Sequence, residues 1–237
     1  MATTSVTAGK QARATTSLES SWTAARDAAS SNTSTTYSTA TDVGDALEVL
    51  YNAGARGNLW AVGRAFFYFD VSSVPGTITA LELKIYGVTN GESDAIAVKS
   101  TAFSGDGSTN YSDDEFDSWT PDSPTDYSGK TSGWTTGGFN NITLNSTAVS
   151  DANSNGLLII ALVDYDFDYT DLDPASVYPT GNTLNDGIRF ANSSQPLDLN
   201  ITYTPAGWDD DVIGVVNASI GTVIGVAEAS IGSINGT

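Results

Sequence analysis

The chain has no cysteine and no histidine among its 237 residues, and it sets only nine lysines and arginines against 28 acidic residues. Each scarcity removes a class of chemistry. Without cysteine there are neither disulfides nor thiolate metal sites, and the redox compartment leaves no trace. Without histidine the commonest general base is missing, with every Ser-His-Asp or Cys-His arrangement and every histidine-ligated zinc, iron or copper. A net charge of −19 offers no basic stripe to replace phosphate counterions, so no nucleic-acid partner is expected. Carboxylates spread over loops chiefly favour solubility, and salt screens their repulsion beyond about 10 Å.

Long apolar runs are also scarce. The opening MATTSVTAGKQARATTSL lacks the run of about 7–15 apolar residues that a secretory signal carries. The expectation is a protein synthesised in the cytoplasm without a signal peptide. Eight Asn-x-Ser/Thr triplets occur, but a chain rich in Ser, Thr and Asn produces them by chance, and they carry no weight as glycosylation sites.

What is present reads as strands. Short runs bounded by Gly, Asn, Asp and Pro fall at Ala46–Tyr51, Val62–Val71, Ile78–Val88, Ala95–Phe103, Phe139–Leu144, Leu157–Val163, Gly187–Phe190 and Leu197–Thr204. Eight short strands with little helix predict an all-β fold, an antiparallel jelly-roll β-sandwich. In Arg64–Val71, alternation places Ala65, Phe67, Phe69 and Val71 on the core side, and Arg64, Phe66, Tyr68 and Asp70 opposite. In Ile78–Val88 the buried set is Leu81, Leu83 and Ile85 with Gly87, a register that a slip of one residue would invert. Pro75-Gly76 suits a type II turn. Ser146–Asn153 is the expected helix, entered from Asn145 and closed by Asn155-Gly156. The organisation is a polar segment over 1–42 with one early strand, packing on or leading into a sandwich over 43–206, then a linker and repetitive tail over 207–237.

Two clusters could carry chemistry. Asp164, Asp166, Asp168, Asp171 and Asp173 lie within VDYDFDYTDLDP. The first three would share a strand face, and such a run can supply oxygens to calcium, although the spacing lacks the EF-hand glycine and terminal glutamate. The plainer expectation is a solvated acidic edge that discourages strand pairing. The second cluster sits in the long segment Ser104–Gly138, where Tyr111, Trp119, Tyr127 and Trp134 accompany Asp113 and Asp114. Aromatic rings cover sugar C–H patches and carboxylates accept hydroxyl hydrogen bonds, so these residues could contact a glycan. They could equally pin down a loop of this length.

Enzymatic readings find little purchase. Glycoside hydrolysis needs two acids about 5–9.5 Å apart, one with a raised pKa, and no pair stands out in the sequence. SGKTS at Ser128–Ser132 ends as a phosphate-binding loop does, but Pro124 occupies the leading glycine position. A non-catalytic protein is expected, with no cofactor beyond a calcium ion on the aspartate run.

The run RAFFYFDVSSVPGTITALELKIYG, Arg64–Gly87, resembles the signature of DNRLRE-type jelly rolls, and NNITLNSTAVSDANSNGLLIIAL and PLDLNITYT resemble later segments of that domain. The resemblance covers roughly residues 40–204. It implies a non-catalytic surface module of the kind found in bacterial adhesive proteins and in bacteriophage virions.

The last 26 residues sharpen this. VIGVVNASIGT is followed directly by VIGVAEASIGS and then INGT, an 11-residue unit whose two copies agree at eight positions. So short a unit cannot bury a core alone and must stack on its copies, on sister chains or on a larger assembly. Such repeats resemble the C-terminal ends of tailed-phage structural proteins. The expected assembly residues are Val212, Ile213, Val215, Ile220, Val223, Ile224, Val226 and Ile231. A right-handed helical supercoil of about 3.67 residues per turn suits the period but not the Gly, Val and Ile content. Glu228 and the lack of flanking cations argue against membrane insertion. The expectation is therefore a virion-surface structural protein, homo-oligomeric or bound to other virion proteins through its tail, with host glycans as further partners. The alternative is a bacterial cell-surface or secreted carbohydrate-binding or adhesin module.

Overall fold

Alternation along two long strands organises the molecule. The computed structural model describes residues 1–37, 45–54, 57–90, 93–178, 183–191, 195, 197–206, 222–223 and 226–227. In chain order the strands are β1 (Ala2–Thr7), β2 (Lys10–Thr15), β3 (Thr33–Tyr37), β4 (Asp45–Gly54), β5 (Gly57–Asp70), β6 (Gly76–Asn90), β7 (Ala95–Lys99), β8 (Gly138–Thr143), β9 (Leu157–Asp164), β10 (Thr183–Ala191) and β11 (Asp198–Pro205). They pair antiparallel in the order β1-β11-β6-β10-β4-β5-β2-β3, with β8 beside β6, and with β9 joining β5 to β7. The fold is the all-β antiparallel sandwich that the strand pattern predicts.

One layer is built on β6 and the other on β5, while β10 and β4 pass between them. Leu81, Leu83 and Ile85 of β6 meet Ala65, Phe67 and Phe69 of β5, with Ile160 and Leu162 from β9 and Leu199 and Ile201 from β11, in one buried cluster. The predicted register of both long strands is the observed one. In β6 the reason is the period of two: only this phase removes Leu81, Leu83 and Ile85 from water.

A second core lies on the opposite face of the β5 layer. Phe66, Val62, Ile96, Val98, Ile159, Ala161 and Val163 point outward from the sandwich, yet all are buried. The long segment after β7, a short helix α1 (Trp22–Arg26) and the turn after β9 cover them. The sequence reading leaves Arg64 and Phe66 on the side away from the core, and this is corrected: both are fully buried. Burying a phenylalanine stabilises by about 1.5–3 kcal/mol, and that gain is collected only because the loops form a third layer.

The N-terminal segment departs from the reading of one early strand. It supplies three: β1 pairs with β11, and β2 inserts between β5 and β3. Repeated Ser and Thr obscure the alternation there. Helix α2 (Ser146–Asn155) starts where expected and runs two residues past the expected Asn153, up to its cap at Gly156. The Asn145 side chain accepts from the N–H groups of Thr147 and Ala148, and Gly156 closes the helix at φ 67°. The turn before β6 differs from expectation. Val74 N–H donates to Val71 O, so the chain reverses at Val71–Val74, and Gly76 begins β6.

Candidate functional site

Arg64 sits where the outer face of β5 meets the loops, and no solvent reaches it. Its Nε donates to Asp168 Oδ2 and its Nη2 to Asp168 Oδ1, both at 2.8 Å. Nη2 also donates to the Arg26 carbonyl at 2.6 Å, and Nη1 to the Phe116 carbonyl at 3.1 Å. Its Cζ lies 4.1 Å from the Phe116 ring centre and 5.0 Å from that of Trp119. A planar guanidinium with five N–H donors can serve a carboxylate and two carbonyls in its plane while its faces rest on rings. One side chain thereby ties together α1, the long loop and the turn after β9.

Arg26 repeats the device one layer further out. Its Nε donates to the Asp168 carbonyl at 2.8 Å, Nη2 to the Pro121 carbonyl at 3.0 Å and Nη1 to Asp27 Oδ1 at 2.7 Å.

The aspartate run does not form the strand face expected of it. Strand β9 stops at Asp164, and Tyr165–Tyr169 is a π-helical turn that rotates successive side chains apart instead of alternating them. Asp164 Oδ1 accepts from the N–H groups of Phe167 and Asp168. Asp166 faces Lys130 at 2.7 Å, and Asp168 faces Arg64. Asp171 accepts from Trp22 Nε1 at 3.0 Å. Asp173 accepts from Trp60 Nε1 at 3.0 Å and caps the short helix α3 (Pro174–Val177). The expected calcium cluster of Asp164, Asp166, Asp168, Asp171 and Asp173 is thus dispersed over separate partners. Among the described residues no three acidic groups gather around one point.

The aromatic cluster also turns inward. Tyr111, Trp119, Tyr127 and Trp134 are all buried. Tyr111 packs 4.9 Å from Phe66, centre to centre, and Trp119 lies against Arg64. Tyr127 donates its hydroxyl to Asp151 Oδ2 at 2.6 Å, and burial with that bond drives its pKa far above the usual phenol range. Their faces are not presented to a sugar; they fasten the loop to the sheet. Asp113 and Asp114 are exposed. Hydrogen bonds from Ser34 and then Ser31 hold the Asp113 carboxyl below its ordinary range.

Sequence reasoning passed over a stacked pair. Tyr165 and Tyr169 lie 5.3 Å apart at 19°. Lys130 Nζ sits 4.8 Å from the Tyr165 ring centre, between Asp94 at 2.6 Å and Asp166 at 2.7 Å. Tyr169 donates to Asp126 Oδ1 at 2.8 Å, and its pKa is pushed up to about 12 by burial first and by that bond second. The spacing of four residues is the helical-neighbour signal. It was hidden because Y-D-F-D-Y alternates like a strand.

The tail is described only where Thr222–Val223 (β12) pairs antiparallel with Val226–Ala227 (β13). Of the expected assembly residues, Val223 and Val226 fall in these strands and form one of the two register pairs. Val212, Ile213, Val215, Ile220, Ile224 and Ile231 lie outside the described residues. No helix among the described residues is long and apolar enough to cross a membrane. No protein-family model matches the chain, and no curated protein matches it in sequence.

Proposed function

We propose that the chain is a non-catalytic virion structural protein of a tailed bacteriophage, placed as a capsid decoration, head fibre or tail appendage. Its C-terminal repeats attach it to sister copies or to other virion proteins, and the sandwich is carried outward toward the host surface. The observation that carries this reading is the tandem 11-residue unit with eight repeated positions, joined to a separate β-sandwich. A repeated apolar unit has surface to bury, at about 25 cal/mol per Å2, only if something stacks on it. The loop layer supports the same reading: Arg64 and Arg26 both bond to Asp168 and to loop carbonyls, which fastens the loops to the sheet, as suits a domain that must survive exposure.

The test is a transplant. Residues 207–237 are fused to an unrelated monomeric carrier, and the mass of the fusion is measured by analytical ultracentrifugation. Self-association of the fusion, or its capture by isolated particles of the phage that encodes the chain, is the expected result. A fusion that stays monomeric and does not bind those particles contradicts the proposal.

A further inference from the structure

A groove of about 560 Å3 opens between the end of β7, helix α2 and the start of β9, away from the Arg64 cluster. Lys99 at the end of β7 and Thr101 just after it, Asp151, Ser154 and Asn155 of α2, and Leu157–Ile159 at the start of β9 line it. Asp151 Oδ2 receives Lys99 Nζ at 2.7 Å and the Tyr127 hydroxyl at 2.6 Å. Tyr127 is pinned in the core, and Asp151 is only about a quarter exposed, at 24 %. The Asp151 carboxylate is therefore held in place before any ligand arrives.

We infer that this groove binds a neutral saccharide unit through Lys99 and Asp151. A carboxylate has about four lone-pair sites and an ammonium has three donors, so each keeps capacity after bonding the other. A donor and an acceptor 2.7 Å apart match neighbouring hydroxyls on a pyranose ring: one hydroxyl donates to the carboxylate while its neighbour accepts from the ammonium. Thr101, Ser154 and Asn155 add hydroxyl and amide partners around this pair, and Leu157 offers apolar surface to ring C–H groups. The volume falls within the range of small-molecule sites. Charge narrows the class. The chain carries −19, and the one cation on the groove wall is already matched by Asp151, so a phosphate or uronate is opposed by the field while a neutral sugar is not.

This deepens the outward-facing role proposed above and relies on it only for its setting. Tail assembly and sugar binding are read in different experiments, so one can fail while the other stands. The full-length chain is examined by saturation-transfer NMR with maltose, cellobiose, lactose and N,N′-diacetylchitobiose, alongside a glucuronate-bearing disaccharide. Transfer to at least one neutral sugar is expected, weakened at least tenfold by Asp151→Ala. Ser154 is exposed on α2, so Ser154→Trp places its ring in the groove from a position that the core does not depend on, and should abolish transfer in a folded protein. No transfer to any of the four, transfer unchanged by both variants, or equal transfer to the glucuronate sugar would overturn the inference.

Discussion

Arg64 and Asp168, 104 positions apart in the chain, meet as a bidentate pair with both contacts at 2.8 Å and neither side chain exposed. Removing two charges from water is costly, and only full hydrogen bonding makes the pair tolerable; removing one partner strands the other. Asp168→Ala should lower stability by about 3–5 kcal/mol. The double variant with Arg64→Met should be less destabilised than the sum of the two single variants by about 1–3 kcal/mol. Urea denaturation measures both, and strict additivity would contradict a coupled pair.

Gly87 marks a second dependence. A Cβ there would collide with the Thr135 carbonyl and come within 2.6 Å of Trp134 Nε1 and 2.8 Å of Asn140 Nδ2. Gly87→Ala should therefore cost about 1–3 kcal/mol through overpacking. It should also speed hydrogen exchange at the Gly137 N–H, which donates to Gly87 O at 2.8 Å. Gly129→Ala, with nothing within 4 Å, should stay within about 0.5 kcal/mol of the parent. Equal effects at the two sites would remove the close-packing explanation.

How far the sequence reveals these features depends on period. Leu81, Leu83, Ile85 and Phe67 follow a period of two in runs long enough to fix register, so the sandwich core is legible. Arg64 is not, because its burial depends on a loop about 50 residues later and on a turn about 100 residues later, contacts that no local pattern encodes. Asp164, Asp166 and Asp168 misled for a related reason: alternation in a short polar run fits a strand and a π-helical turn alike, and the hydrogen bonds accepted by Asp164 decide between them. The rings of Tyr111 and Trp119 are visible in the sequence, but the direction they face is set by Phe66 and Arg64 beneath them.

The groove pair makes stability depend on acid. Burial alone would raise the Asp151 pKa, but hydrogen bonds from Lys99 and Tyr127 outweigh it and hold the carboxyl below its usual range. In the unfolded chain that group titrates near about 3.9. Between the unfolded value and the lower folded one, the unfolded state binds more protons, so the Asp151 contribution is present above about pH 4 and is lost as pH falls through the folded value. Asp151→Asn should melt below the parent at pH 7, and the gap should narrow from pH 5 to pH 2.5. A gap that is constant with pH would mean the Asp151 charge contributes nothing.

Assembly through the repeats is tested most directly by light scattering on the full-length chain and on a form ending before Val212, with and without a calcium chelator. The expected result is a defined oligomer that falls to monomer on truncation and keeps its mass with chelator, because the aspartates of the 164–173 segment are engaged with Arg64, Lys130, Trp22 and Trp60. The same number of chains per particle for both forms would contradict self-association through the tail.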